Sequence, residues 1–166
     1  MLTKLLSRAT CAECQLCCVF DGYSIWETPV ISPEIRQKIE SILPDVEFIS
    51  KGNESYIFRI RELDENDLFA CPLLDPAKGC LLGTEKPFDC QIYPFQVTEV
   101  GNRQAIILST LCEAVAKENV CTLLNFLKEG IAEKIFSYAK QHPDVIRPYD
   151  FRSPVLFWKP ETPENF

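Results

Sequence analysis

The sequence predicts one α+β domain, in which a small antiparallel sheet and helices are organised around cysteine-rich loops. Three observations in the 166-residue chain predict it: some segments have apolar residues at helical spacing, others alternate, and cysteines cluster where neither pattern holds. A chain of this length normally forms a single domain. We expect the domain to cover residues 1–158 and residues 159–166 to form a frayed tail.

The first clear element is a helix at 33–43. Ser32 is a suitable N-cap, Pro33 occupies the first helical position, and Glu34 places an acid in the first turn. Apolar residues recur at helical spacing up to Pro44, which ends the run. These local signals predict both ends of the helix.

Strands are predicted next. The stretch SYIFRIRE at 55–62 alternates between two faces, and the acidic stretch at 63–70 predicts a solvated turn. Residues 71–95 are rich in Pro, Gly and Cys and predict an ordered loop. The stretch at 92–110 predicts two strands joined by a turn at Gly101-Asn102.

A long helical pattern follows at 113–142, where Gly130 marks a weak point or a kink and His142 ends the helix. Its apolar positions form a wide stripe: Val120, Leu123, Leu124, Leu127, Ile131, Ile135, Phe136 and Ala139. The remaining residues are rich in proline and aromatic side chains. They predict an extended tail packed on the domain as far as Trp158.

Composition narrows the classes of function. Hydrophobic residues make up 46% of the chain, so a core forms without disulfide support. The net charge of −7 disfavours binding to nucleic acids and to anionic membranes. A transmembrane helix needs about 18 consecutive apolar residues and a secretory signal about 7–15, and neither run is present. We therefore expect a cytoplasmic protein in a reducing compartment, where clustered cysteines more often bind metal or do redox chemistry than form disulfides.

The stretch CAECQLCC at 11–18 carries four cysteines in eight positions. Adjacent cysteines cannot bridge each other without strain, and the odd total of nine leaves one cysteine unpaired. Paired C-x2-C spacing lets one tight turn aim two sulfurs at a tetrahedral zinc or an iron–sulfur cluster. Cysteines at the edges of later elements complete a predicted ligand set: Cys11, Cys14, Cys17, Cys18, Cys71, Cys80, Cys90 and Cys112. A dynamic redox pair is the alternative, although the thioredoxin-like context is missing.

Eight thiolates are enough for two four-ligand centres, but the spacing leaves their division open. If a helix in the short leader before residue 11 continued through the cluster, Cys11, Cys14 and Cys18 would share a face and Cys17 would point elsewhere. Cys121 lies within an apolar helical run, so we expect it to be a buried structural thiol rather than a ligand. No catalytic residues are predicted, because a single histidine and the lack of a Gly-rich phosphate loop disfavour the common catalytic arrangements.

The cysteine pattern resembles the CxxCxxCC cysteine-cluster family (YkgJ-type), whose members are described as zinc- or iron-chelating domain proteins. The resemblance covers the motif at 11–18, CPLL at 71–74, Cys80 and KPFDCQIYPF at 86–95. Lys86 and Gln91 stand where the family usually has arginine. The resemblance implies metal-binding loops with a structural, redox or metal-handling role. A related cysteine module in flagellin lysine methylases keeps a protein-modifying enzyme as the alternative.

Overall fold

The structure is a computed structural model that describes residues 2, 5–21, 24, 27–52, 54–60 and 66–161. The helices in these ranges are α1 Arg8–Cys14, α2 Pro33–Ile42, α3 Phe88–Ile92, α4 Glu113–Ala116, α5 Val120–Phe126 and α6 Ala132–Gln141. The strands are β1 Val19–Asp21, β2 Phe48–Ser50, β3 Tyr56–Phe58, β4 Leu68–Ala70, β5 Leu74–Asp75, β6 Gly79–Cys80, β7 Phe95–Val100, β8 Arg103–Leu108, β9 Arg147–Pro148 and β10 Val155–Trp158. The chain has the predicted α+β fold. None of the described helices is both long enough and apolar enough to cross a membrane.

The largest sheet has the strand order β10-β8-β7-β9. Its centre is the predicted hairpin, in which β7 and β8 pair antiparallel from Phe95↔Leu108 to Val100↔Arg103. Gly101 adopts a φ of 61° at the turn, a conformation that glycine reaches without steric cost. The segment predicted as an extended tail supplies both outer strands, β9 and β10.

Helices α5 and α6 cover this sheet, α5 contacting β10 and α6 contacting β7. Phe95 is fully buried here and stacks on Phe126 with ring centroids 5.9 Å apart. The predicted kink is confirmed, because a π-turn joins α5 to α6 and Gly130 has a φ of 95°. The prediction of one continuous helix at 113–142 is wrong, because the segment forms three helices, α4, α5 and α6. Val120, at the start of α5, is exposed and does not join the apolar stripe.

A second hydrophobic cluster lies around α2 and the small strand pairs. Its buried members are Phe20, Ile31, Ile39, Phe58, Leu73 and Leu82. The start signals of α2 are confirmed, since the Ser32 hydroxyl accepts a hydrogen bond from the Ile35 N–H at 3.4 Å. The strand predicted at 55–62 is shorter in the described residues, where it covers Tyr56–Phe58. Residues 61–65, which include the first three positions of the predicted acidic turn, lie outside the described ranges, and the last three positions of that turn form β4 instead.

The stretch at 71–95 is more regular than the predicted ordered loop. It contains the β5–β6 hairpin, a 3₁₀ turn at Gly83–Glu85 and α3. Regular pairing satisfies backbone groups that a half-buried loop would leave unpaired. In the C-terminal segment, the Lys159 N–H donates to the Gln104 carbonyl at 2.9 Å, and residues 162–166 of the predicted frayed tail lie outside the described ranges.

Candidate functional site

Helix α1 carries the first two cysteines of the cluster and ends before the other two. Gln15 adopts a left-handed φ of 54° as the C-cap of α1, and a 3₁₀ turn at Leu16–Cys18 follows. The Gln15 side-chain amide donates to the Pro76 carbonyl at 3.0 Å, a contact 61 positions away that holds the break. The condition of one continuous helix through the cluster is therefore not met. The side-chain directions of Cys17 and Cys18 are set by the 3₁₀ turn and not by α1.

The β5–β6 hairpin lies against α1. A Cβ built at Gly79 would lie 3.4 Å from the Ala12 Cβ, an ordinary contact distance, so β6 lies directly against α1. Next to the hairpin, the Cys71 N–H donates to the Cys18 carbonyl at 2.7 Å. Cys80 pairs with Leu74 across the hairpin. Backbone pairing thus brings the 3₁₀ turn, Cys71 and Cys80 into one neighbourhood.

Cys90 lies on α3, which a buried ion pair positions. The neighbouring Asp89 carboxylate accepts hydrogen bonds from the Val30 N–H at 3.1 Å and from the Arg147 guanidinium. The Arg147 side chain is 3% exposed and that of Asp89 14%. No local sequence signal predicts this pair, since its members are 58 positions apart.

Cys112 is the N-cap of α4, as predicted. Its carbonyl accepts hydrogen bonds from the Val115 and Ala116 N–H groups at 3.2 and 2.8 Å. The start of α4 therefore fixes the backbone from which this thiol projects.

These elements surround a cavity of about 190 Å³, called here the thiol cavity. Seven of the eight predicted ligands line it: Cys11, Cys14, Cys17, Cys18, Cys80, Cys90 and Cys112. A smaller cavity of about 60 Å³ shares four of them: Cys17, Cys18, Cys80 and Cys90. The eighth, Cys71, lines neither cavity and lies beside Cys18 and the hairpin.

All nine cysteines lie in the described ranges and are free thiols. Cys121 is exposed, so the prediction that it is a buried structural thiol is wrong. Helix α5 begins at Val120, after the Asn119 N-cap, and its first turn faces solvent. Cys121 does not line the thiol cavity.

The thiols share the cavity without forming a closed coordination sphere. Within the described residues, no three His, Cys, Asp or Glu side chains are grouped so as to hold a metal ion. The donor chemistry of the thiol cavity is nevertheless selective, because its described lining contains seven cysteines and no His, Asp or Glu. A set of sulfur donors fits zinc or iron–sulfur clusters and suits magnesium or calcium poorly.

The electrostatics of the metal-free site favour protonated thiols. Burial raises the pKa of Cys71 to about 12 and raises the pKa of Cys90 well above its usual value. A hydrogen bond with the neighbouring Cys18 thiol is the main cause of the raised pKa of Cys17. If several thiols of this cavity were ionised together, their buried negative charges would require a cation as partner.

Lys86 and Tyr93 are the additional residues that the structure places among the thiols. Both line both cavities, and the Tyr93 hydroxyl lies 2.9 Å from the Ser109 hydroxyl oxygen. Lys86 is half-buried. Its ammonium opposes the burial-driven rise in the pKa of Cys11 and of Cys90. The closeness of Lys86 to Cys90 in the chain is the signal that could have identified it.

Comparison of this chain with known protein families, with curated proteins and with solved structures finds no match. The resemblance to the CxxCxxCC family therefore stays a prediction. The function has to be argued from the chemistry of the thiols and of the cavity they line.

Proposed function

We propose that this protein binds metal, as zinc or as an iron–sulfur cluster, through clustered cysteine thiolates. The proposed ligands are Cys11, Cys14, Cys17, Cys18, Cys71, Cys80, Cys90 and Cys112. The observation that carries the proposal is the thiol cavity, which seven of these residues line from four separate stretches of the chain. Thiols scattered only for packing would have no reason to face one cavity.

Metal binding accounts for these thiols better than disulfide or redox-pair chemistry does. Each of the eight is a free thiol. Burial makes an isolated thiolate unfavourable at Cys71 and Cys90, as the raised pKa of each thiol indicates. A reactive redox pair needs the opposite, a lowered thiol pKa. A bound cation supplies the missing positive charge and displaces the thiol protons.

The proposed metal has a structural consequence. The thiols of the site belong to α1, the 3₁₀ turn, the segment between β4 and β5, the β5–β6 hairpin, α3 and the N-cap of α4. These are short elements, and α3 and α4 have five and four residues. Helices this short are marginal on their own, so ligand bonds to a shared metal would stabilise them.

The test is elemental analysis with an absorption spectrum on protein purified without oxygen. We expect zinc in a colourless protein, or iron and sulfide in a brown one, and either result supports the proposal. Cys14→Ser and Cys90→Ser are expected to lose metal and to lower the melting temperature, because metal binding and folding are coupled. Cys121→Ser is the matched control, since Cys121 is exposed and lies away from the thiol cavity.

If Cys14→Ser and Cys90→Ser both kept the full metal content and an unchanged melting temperature, the ligand assignment would be wrong. Wild-type protein that was purified without oxygen, was reduced and folded, and bound neither zinc nor iron would end the proposal itself.

A further inference from the structure

We propose that the eight thiols form two separate metal centres, an inference that rests on the proposed function. The first centre is held by Cys11, Cys14, Cys17 and Cys112. The second is held by Cys18, Cys71, Cys80 and Cys90. The adjacent residues Cys17 and Cys18 thus belong to different centres, and the chain between them joins the two.

The two cavities give the first evidence for this division. Cys11, Cys14 and Cys112 line only the larger, thiol cavity. Both cavities are lined by Cys17, Cys18, Cys80 and Cys90, which therefore lie on the side where the two cavities meet. The thiols consequently extend from one cavity to the next, instead of surrounding a single point.

Backbone pairing assigns Cys18, Cys71 and Cys80 to one neighbourhood. The Cys71 N–H donates to the Cys18 carbonyl at 2.7 Å, where the paired strands β1 and β4 meet the chain leading to the hairpin. The Leu74 N–H donates to the Cys71 carbonyl at 2.9 Å, and Leu74 is the partner of Cys80 across the hairpin. Cys90 completes this set as a thiol of the smaller cavity.

The position of α1 groups the thiols of the first centre. Cys11 and Cys14 are three positions apart and so share one face of α1, which is turned towards the thiol cavity. Cys112 lines the same cavity from the N-cap of α4. Three thiols thus come from these two elements, and a four-ligand centre needs one more.

Cys17 is the thiol that fits the remaining position. Cys18 is tied through its backbone to Cys71, which leaves Cys17 for the first centre. In a 3₁₀ turn, successive side chains point about 120° apart, so neighbours can serve different centres.

Cobalt(II) titration of the reduced, metal-free full-length chain under anaerobic conditions tests the division. We expect two equivalents of cobalt per wild-type chain, and one equivalent each for Cys14→Ser and Cys80→Ser. The variant carrying both substitutions is expected to bind none. Cys121→Ser, the control, is expected to bind two. Far-UV circular dichroism checks that each variant folds. If Cys14→Ser fails to fold, Cys112→Ser replaces it as the variant of the first centre. If Cys80→Ser fails to fold, Cys71→Ser replaces it as the variant of the second centre.

The double variants test the assignment of the adjacent cysteines. Adding Cys17→Ser to Cys14→Ser is expected to remove no further cobalt, because both residues belong to the first centre. Adding Cys18→Ser to Cys80→Ser is expected to leave one equivalent for the same reason. Loss of all cobalt in either double variant would overturn the assignment.

The wild-type count separates this inference from the proposed function. One equivalent per wild-type chain would overturn the two-centre division and leave metal binding intact. Folded wild-type protein that bound no cobalt would count against the division and against thiolate metal binding together.

Discussion

Lys86 places a positive charge among the thiols. Its side chain lines both cavities, and its ammonium opposes the rise in the pKa of Cys11, Cys17 and Cys90 that burial and neighbouring thiols cause. A centre of four thiolates around one divalent ion carries net negative charge, so a nearby cation stabilises the loaded state. Lys86 is thus the residue whose charge is expected to tune metal affinity without contributing a ligand.

Lys86→Gln is expected to weaken metal binding by about 10- to 100-fold, the range seen when groups around metal ligands are removed. Lys86→Arg, which keeps the charge, is expected to retain most of the affinity. Competition with a chromophoric chelator measures both. Lys128→Gln makes the same charge change at an exposed position outside the cavities and serves as the control. Equal affinities for Lys86→Gln and wild type would contradict a role for this charge.

Arg147 forms a buried ion pair with Asp89, which is the residue next to Cys90 on α3. Its guanidinium also donates to the Thr28 carbonyl at 3.0 Å. Removing one member of a buried ion pair leaves the other charge uncompensated, which typically costs about 3–5 kcal/mol.

Arg147→Met is therefore expected to lower the free energy of unfolding of the reduced, metal-free protein by about 3–5 kcal/mol in a urea titration. Arg152→Met provides the comparison, because Arg152 pairs with Asp150 at 3.0 Å but its side chain is 71% exposed. Exposed pairs typically contribute about 0–1 kcal/mol. A loss below about 1 kcal/mol for Arg147→Met would show that the buried pair does not anchor α3.

At the scale of elements, the joint between α5 and α6 depends on one glycine. Gly130 has a φ of 95°, and a Cβ built there would meet no atom within 4 Å. The cost of a side chain at this position is therefore conformational and not steric crowding with neighbouring elements. A left-handed conformation costs residues other than glycine about 1–2 kcal/mol.

Gly130→Ala is accordingly expected to lower the free energy of unfolding by about 1–2 kcal/mol, measured by urea denaturation. Lys128→Ala, in the exposed part of the same π-turn, is expected to change it by less than about 0.5 kcal/mol. An increase in stability for Gly130→Ala would mean that the joint straightens into a regular helix.

Elements with local start and stop signals were predictable from the sequence. Helix α2 begins where Ser32, Pro33 and Glu34 predict it, and the β7–β8 hairpin turns at Gly101-Asn102. The end of α1 was not predictable, because a contact from Gln15 to Pro76 holds a left-handed residue that local propensity does not favour. The same holds for β10, whose pairing with β8 joins residues about 50 positions apart in the chain.

The sequence allowed the cysteines of the candidate site to be named, but it did not predict how they are arranged in space. Spacing and position at element edges identified the eight thiols, of which seven line the thiol cavity. The proposed division into two centres depends on a backbone hydrogen bond between Cys18 and Cys71, which are 53 positions apart and carry no mutual sequence signal. Cys121 was misjudged because apolar spacing does not reveal that the first turn of α5 faces solvent.

At the scale of the whole molecule, the thiols lie between two hydrophobic clusters. Cys112 packs against the cluster formed by the main sheet with α5 and α6. Cys71 and Cys80 pack against the cluster around α2. In the proposed division Cys112 belongs to the first centre and Cys71 and Cys80 belong to the second, so the adjacent residues Cys17 and Cys18 would link the two clusters once both centres are filled.

X-ray absorption at the edge of the metal bound to wild-type protein tests most directly whether cysteine sulfur holds the metal. We expect a first coordination shell of sulfur alone, at about 2.3 Å if the metal is zinc. A first shell dominated by nitrogen or oxygen would contradict it.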